Sequence, residues 1–162
     1  MTNDEFDALR TLAQSLPTVL PQMSLVWSAA VDIAPREALG RSACGERFIV
    51  PIVGGRFWGG PGHEGLQGRV RPGADRQWLR PDGIKQLRAE YELQTHDGAL
   101  ITIDNQVIVD DSLKPDRYAM SHVAVSAPLG PYEWLNRRQF VGTLQSLRPQ
   151  RQAVLVRVYA LG

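Results

Sequence analysis

From Met23 to Ile33 apolar residues fall at every second position: Met23, Leu25, Trp27, Ala29, Val31 and Ile33. Most residues between them are small or polar, the mark of a half-buried strand. The same period returns in short runs to the end of the chain. Arg47 to Val53, Gly65 to Arg71 and Asp75 to Arg80 read as strands, with Pro51 marking an edge, a bulge or a strand end. Ile84 to Thr95 and Ala99 to Asp110 flank Asp97-Gly98, a strong hairpin signal. Tyr118 to Ala127, Arg138 to Leu147 and Ala153 to Leu161 complete about nine strands. Gly54-Gly55, Gly59-Gly60, Pro61-Gly62, Pro72-Gly73 and Pro81-Asp82-Gly83 supply the corners. Nothing between the runs is long enough for crossover helices, so the sheet must be mainly antiparallel. Closure into a barrel removes sticky edges, so a closed or nearly closed β-barrel is expected, with a β-sandwich as the alternative.

One segment follows another rule. Phe6, Leu9, Ala13 and Leu16 recur at helical spacing, Thr2 and Glu5 have capping-box spacing, and Pro17 stops the run. The reading is one domain over residues 1–162: an N-terminal helix within 1–17, lying against or plugging one end of a barrel over 22–162. A chain of 162 residues holds one such core. The net charge of +1 gives no reason for a nucleic-acid partner or an anionic membrane surface. No apolar run reaches the roughly 20 residues of a membrane span, and the acidic start, Asp4, Glu5 and Asp7, is unlike a signal peptide. A cytoplasmic setting follows as an expectation. The single cysteine, Cys44, excludes an internal disulfide and reads as a packing residue.

Several motifs look like chemistry, and each has a plainer reading. Gly60-Pro61-Gly62-His63-Glu64-Gly65 has dinucleotide-motif spacing, but a poor helix-former follows where a phosphate-binding helix should begin. His63, His96 and His122 fall on different elements without zinc-motif spacing, so neither metal nor cofactor is expected. His63 beside Glu64 in a glycine corner is a candidate proton carrier, with a surface turn as the plain reading. Trp78 among arginines lines a pocket for an anionic aromatic or merely stacks on the surface. Pro131 to Asn136, with Tyr132 and Trp134, reads as an aromatic plug over one barrel end or as a cover on a ligand.

Taken in order, Gly54-Gly55, the Gly59-Gly60-Pro61-Gly62 corner, Pro72-Gly73-Ala74-Asp75 with Gln77, Arg80 with Asp82-Gly83, Tyr91, Asp97-Gly98-Ala99-Leu100-Ile101, Asn105 and Trp134-Leu135-Asn136 form a pattern. It resembles the uncharacterised bacterial family known as domain-of-unknown-function family 3237, from about Arg47 to the C-terminus. The resemblance implies a small antiparallel barrel. Some members are associated with bacterial breakdown of lignin-derived aromatics, including cofactor-independent decarboxylation. Glu90, Met120, Val125 and Ser126 depart from the family's pattern. The expectation is therefore a cofactor-independent lyase, or an isomerase, acting on a small aromatic molecule. Asp75, Tyr91 and His63 would be catalytic. Arg47, Trp58, Trp78, Arg80, Asn105, Trp134 and Asn136 would bind substrate. The alternatives are a non-catalytic binding barrel and a side-chain-filled structural barrel, the latter pairing into a homodimer through an exposed strand face or edge. A cavity too small for an aromatic ring would favour the filled barrel.

Overall fold

The computed structural model describes residues 2–162. Helix α1 (Asn3–Ser15) precedes ten strands: β1 (Met23–Ile33), β2 (Glu37–Ser42), β3 (Gly45–Gly59), β4 (Gly68–Val70), β5 (Gly73–Leu79), β6 (Lys85–Thr95), β7 (Leu100–Asp110), β8 (Tyr118–Ser126), β9 (Gln139–Ser146) and β10 (Ala153–Leu161). Every pairing is antiparallel. Eight strands close a circuit in the order β1, β10, β9, β8, β7, β6, β5, β3 and back to β1. Short β4 shares the berth of β5 between β3 and β6, and β2 lies outside, paired with β3 alone. The barrel read from the alternation is the observed fold, and the sandwich is not.

The alternating residues point where the period says. On β7, Ile101, Ile103, Asn105, Val107 and Val109 are buried while their neighbours face out. Trp27, Phe140, Leu93 and Leu135 are among the largest fully buried side chains, and Trp27 and Phe140 pack 5.7 Å apart. The 3-10 turn Glu133–Arg137 and Tyr132 plug one end: Leu135 and Tyr132 join the core, and Tyr132 Oη donates to Asp97 Oδ1 at 3.0 Å.

Two expectations change and one narrows. Of the edge, bulge or strand end expected near Pro51, the bulge is found and the strand end is not. β3 runs fifteen residues through Pro51 and bends two residues later, where the register with β1 slips between Asp32 and Ile33. One strand thus serves β2 and β5 with its first half, and β1 and β4 with its second. The hairpin partner β2 was illegible because Glu37–Ser42 is exposed throughout and has no inward face to pattern. Cys44 sits exposed in the β2–β3 turn, outside the core. Helix α1 forms with its capping box, yet no residue of it is buried; it neither lies on the barrel nor plugs it. No helix among the described residues is long and apolar enough to cross a membrane.

Candidate functional site

The register sets Asp75 of β5 beside Ala89 of β6, and Ala89 beside Asn105 of β7. All three face inward, and Tyr91 follows Ala89 on the same face. Because Ala89 is small, a gap opens between the polar side chains on either side. Asp75, Ala89, Tyr91 and Asn105 line a cavity of about 40 Å³ with Val31, Ile52, Val156 and their neighbours. That volume suits a water molecule or two and excludes an aromatic ring. The space widens toward the end where β7 stops and β10 starts. Asp75, Ile33, Leu87, Leu144 and Val154 line both this cavity and a mouth of about 420 Å³. The mouth is within the range of small-molecule sites.

The polar groups in this space are short of partners. Asp75 Oδ2 accepts from Gln77 Nε2 at 2.7 Å, while Oδ1 is buried and bonded to nothing in the protein. Burial, partly offset by the Gln77 hydrogen bond, lifts the Asp75 pKa to about 6. Tyr91 and Asn105 are 3% and 2% exposed, and neither Tyr91 Oη nor Asn105 Oδ1 has a hydrogen-bond partner. Burial, and then the nearby Asp75 charge, pushes the Tyr91 phenol above its ordinary range. Three unsatisfied polar atoms around one gap cost stability, and an enclosed water or a ligand would relieve them. Tyr91→Phe is expected to raise the melting temperature by roughly 2–4 °C, about 1 kcal/mol for a chain of this size. A differential-scanning trace checks it; a drop of several degrees would mean the hydroxyl is satisfied after all.

At the mouth stand Arg36, Arg117 and Arg148, with Gln77, Gln145 and Ser146. Arg117 pairs with Asp111 at 3.1 Å. The Arg36 guanidinium lies 4.0 Å over the Phe48 ring, and neither it nor Arg148 forms an ion pair among the described residues. An apolar funnel with a protonatable carboxyl inside and two free guanidiniums at the rim can hold a compact anion with an apolar body.

The residues named from sequence divide by location. Asp75, Tyr91 and Asn105 come together. His63 and Trp134 meet at the opposite, plugged end, their rings stacked 5.1 Å apart. Asn136 is occupied there in a two-way hydrogen bond with the Ala127 backbone. Arg47 and Trp78 are cross-strand partners facing outward, and Arg47 donates to the Leu39 carbonyl. Arg80 is held at a turn by Asp82, and Trp58 is exposed on the outer wall. These seven line neither the inner cavity nor the mouth, because an inward strand position alternates with an outward one and turns serve both ends. Glu90 and Met120, where the sequence departs from the family pattern, also face outward. Arg36, Arg117 and Arg148 were missed. Each lies in a connection at one end of the barrel, after β1, β7 and β9, and that shared end was the available signal. Among the described residues no cluster of His, Cys, Asp and Glu could hold a metal ion.

Residues 21–161 match the family described as protein of unknown function, DUF3237. A UPF0311 protein of Rhodopseudomonas palustris strain TIE-1 is 37% identical over 81 residues, 49% of this chain and 50% of that one, so the match spans about half the relative's length. A UPF0311 protein of Clostridium acetobutylicum is 30% identical over 131 residues, 72% of this chain and 80% of that one. The crystal structure of a beta-barrel-like protein from Acinetobacter baumannii superposes with a TM-score of 0.79 at 29% identity, covering 90% of this chain and 99% of that one.

Proposed function

The chain belongs to the DUF3237 family of proteins of unknown function, and from what the family resemblance implies, together with the geometry of this site, we propose that it is a cofactor-independent, decarboxylase-like lyase acting on a small aromatic acid. The observation that carries this reading is Asp75: a carboxyl with one buried, unpartnered oxygen and a pKa of about 6, at the inner end of an arginine-rimmed apolar mouth. Groups tuned in this way toward neutrality are the ones that exchange protons at working pH.

The ring of the substrate fills the mouth against Ile33, Leu87, Val109, Leu144 and Val154. Its carboxylate points inward, toward protonated Asp75 and away from water, where its charge is poorly solvated. The bond from carbon to the carboxylate breaks and carbon dioxide leaves. The electron pair remains on the carbon and is drawn toward an oxygen on the far side of the ring, which Arg36 and Arg148 face. Asp75 gives its proton to that carbon and is reprotonated from water. Tyr91 orients the carboxylate by donating from the Oη that the protein leaves unpaired, and the unpaired Asn105 Oδ1 is free to accept from the Asp75 hydroxyl or a water. No metal or organic cofactor is needed for this sequence of events.

The direct experiment is a thermal-shift screen of aromatic acids, phenols and lignin-type dimers, with each stabilising compound incubated and followed by mass spectrometry. Loss of the mass of carbon dioxide supports the proposal. A compound that stabilises but stays unchanged for hours replaces it with a non-catalytic binding barrel, and no stabilising compound at all favours the side-chain-filled barrel, toward which the small inner cavity of about 40 Å³ points. The double variant Arg36→Gln, Arg148→Gln is expected to weaken a stabilising acid by about tenfold or more and to flatten the salt dependence of its binding. Titration calorimetry at two ionic strengths checks this; unchanged affinity would remove the arginines from the site.

A further inference from the structure

Helix α1 carries an apolar face that the barrel leaves uncovered. Phe6, Leu9 and Leu12 on the helix, Leu16 at its C-cap, then Val19 and Leu20 in the connecting segment and Met23 at the start of β1, are all more than half exposed. A helix this short is marginal alone in water and holds its form by burying such a face. The same chain carries a second uncovered apolar surface. A groove of about 920 Å³ runs over the outer face of β5 to β9, lined by Trp78, Ile108, Tyr118, Met120 and Val141, with Cys44 at its edge. Its lining includes His122 and Arg88, the latter ion-paired with Asp104 at 2.9 Å and Glu90 at 3.1 Å. The helix brings Asp4, Glu5 and Asp7 against one Arg10.

The geometry points to an exchange of α1 between two copies of this chain, each helix lying apolar face down in the outer groove of the other. The apolar area favours the pairing. The six exposed apolar side chains of the arm, with Met23 just past its root, present roughly one partner's share of a standard interface, about 800 Å², and a reciprocal exchange buries that share twice. The tether also fits. Gln22 is clamped to Gly162 by two backbone hydrogen bonds of 2.7 and 2.9 Å, which fixes the root of the arm. Residues 17–22 then span up to roughly 20 Å when extended. Val141 pairs with Tyr159 and Tyr159 with Leu25, so the near end of the groove lies two strands from that root. The arm nevertheless stands away from its own barrel. Across a two-fold axis the same short reach serves both copies, and a reciprocal exchange fills both arms and both grooves and so closes at two. This inference does not depend on the barrel's interior or on any chemistry there.

Light scattering on the full chain at tens of micromolar tests it. The expected mass is twice that of one chain. Leu9→Glu on the arm and Met120→Glu in the groove should each return the protein to a monomer; both side chains are exposed, so neither change threatens the barrel. Leu12→Cys, oxidised, should form a covalent dimer through Cys44 that Cys44→Ser abolishes. A monomeric wild-type chain, or a dimer that survives both glutamates, overturns the proposal. So does oxidation within one chain, which would place each arm in its own groove.

Discussion

Replacing Asp75 by asparagine is expected to lower turnover of a decarboxylated acid by a factor of 10² to 10⁴ and to leave its binding within a few-fold. The substitution keeps the shape of the side chain and removes only the proton it can give. A second consequence needs no substrate. In the folded chain the carboxyl has a pKa of about 6, and in the unfolded chain it returns to about 3.8. Between those values the folded state holds a proton that the unfolded state has lost. Stability therefore falls as pH rises from about 4 to about 6, and is flat for this group above that. The full difference is worth about 3 kcal/mol as an upper figure. Asp75→Asn should remove the slope, so the variant melts higher than the wild type at pH 7.5 and close to it at pH 4. In the proposed role Asp75 acts as an acid, so kcat/KM should fall about tenfold per unit above pH 6. A rate that instead rises through pH 6 would make Asp75 a base and the reaction a proton abstraction, such as an isomerisation. Turnover intact in Asp75→Asn would take the residue out of the chemistry altogether.

The barrel was legible because burial on one face imposes a period of two, and eight strands share that face. Asp75, Tyr91 and Asn105 were legible as family-pattern positions, and the strand register then brought them together. The rest of the site failed for a physical reason. His63, Trp134 and Asn136 lie in connections at one end of the barrel, and Arg36, Arg117 and Arg148 in connections at the other. A sequence shows which side of a strand a residue takes, but the end of the barrel a loop serves follows only from the full strand count. One unseen strand, exposed β2, was enough to blur that count. The arm was legible as a helix and misread in its position, because an apolar stripe states that something covers it and not what.

Gly55→Ala is expected to cost on the order of 4 kcal/mol or more, enough to leave a barrel of this size largely unfolded at 37 °C. Gly55 pairs with Val31 across the β1–β3 seam that closes the circuit. Its φ is +133°, and a Cβ there would lie 2.0 Å from the Ala30 carbonyl oxygen, a backbone atom that the β1 ladder holds in place. Gly54 provides the control. Its φ of +154° is also unfavourable for alanine, but a Cβ would meet nothing nearer than the Val70 carbonyl oxygen at 3.9 Å. Gly54→Ala should thus carry conformational strain alone, about 1–2 kcal/mol. Urea unfolding of the two variants separates collision from strain; equal losses would show that the seam is soft enough to yield. The seam also bears on the site. Just before the bend, β3 places Val50 opposite Asp75 and Ile52 in the inner cavity wall. A chain in which β3 has pulled away from β1 exposes Asp75 to water and returns its carboxyl toward the ordinary range. A Gly55→Ala protein recovered in folded form by low temperature or osmolyte should therefore lose the fall in stability between pH 4 and 6 as well as its ligand. If it keeps both, the site does not depend on closure at this seam.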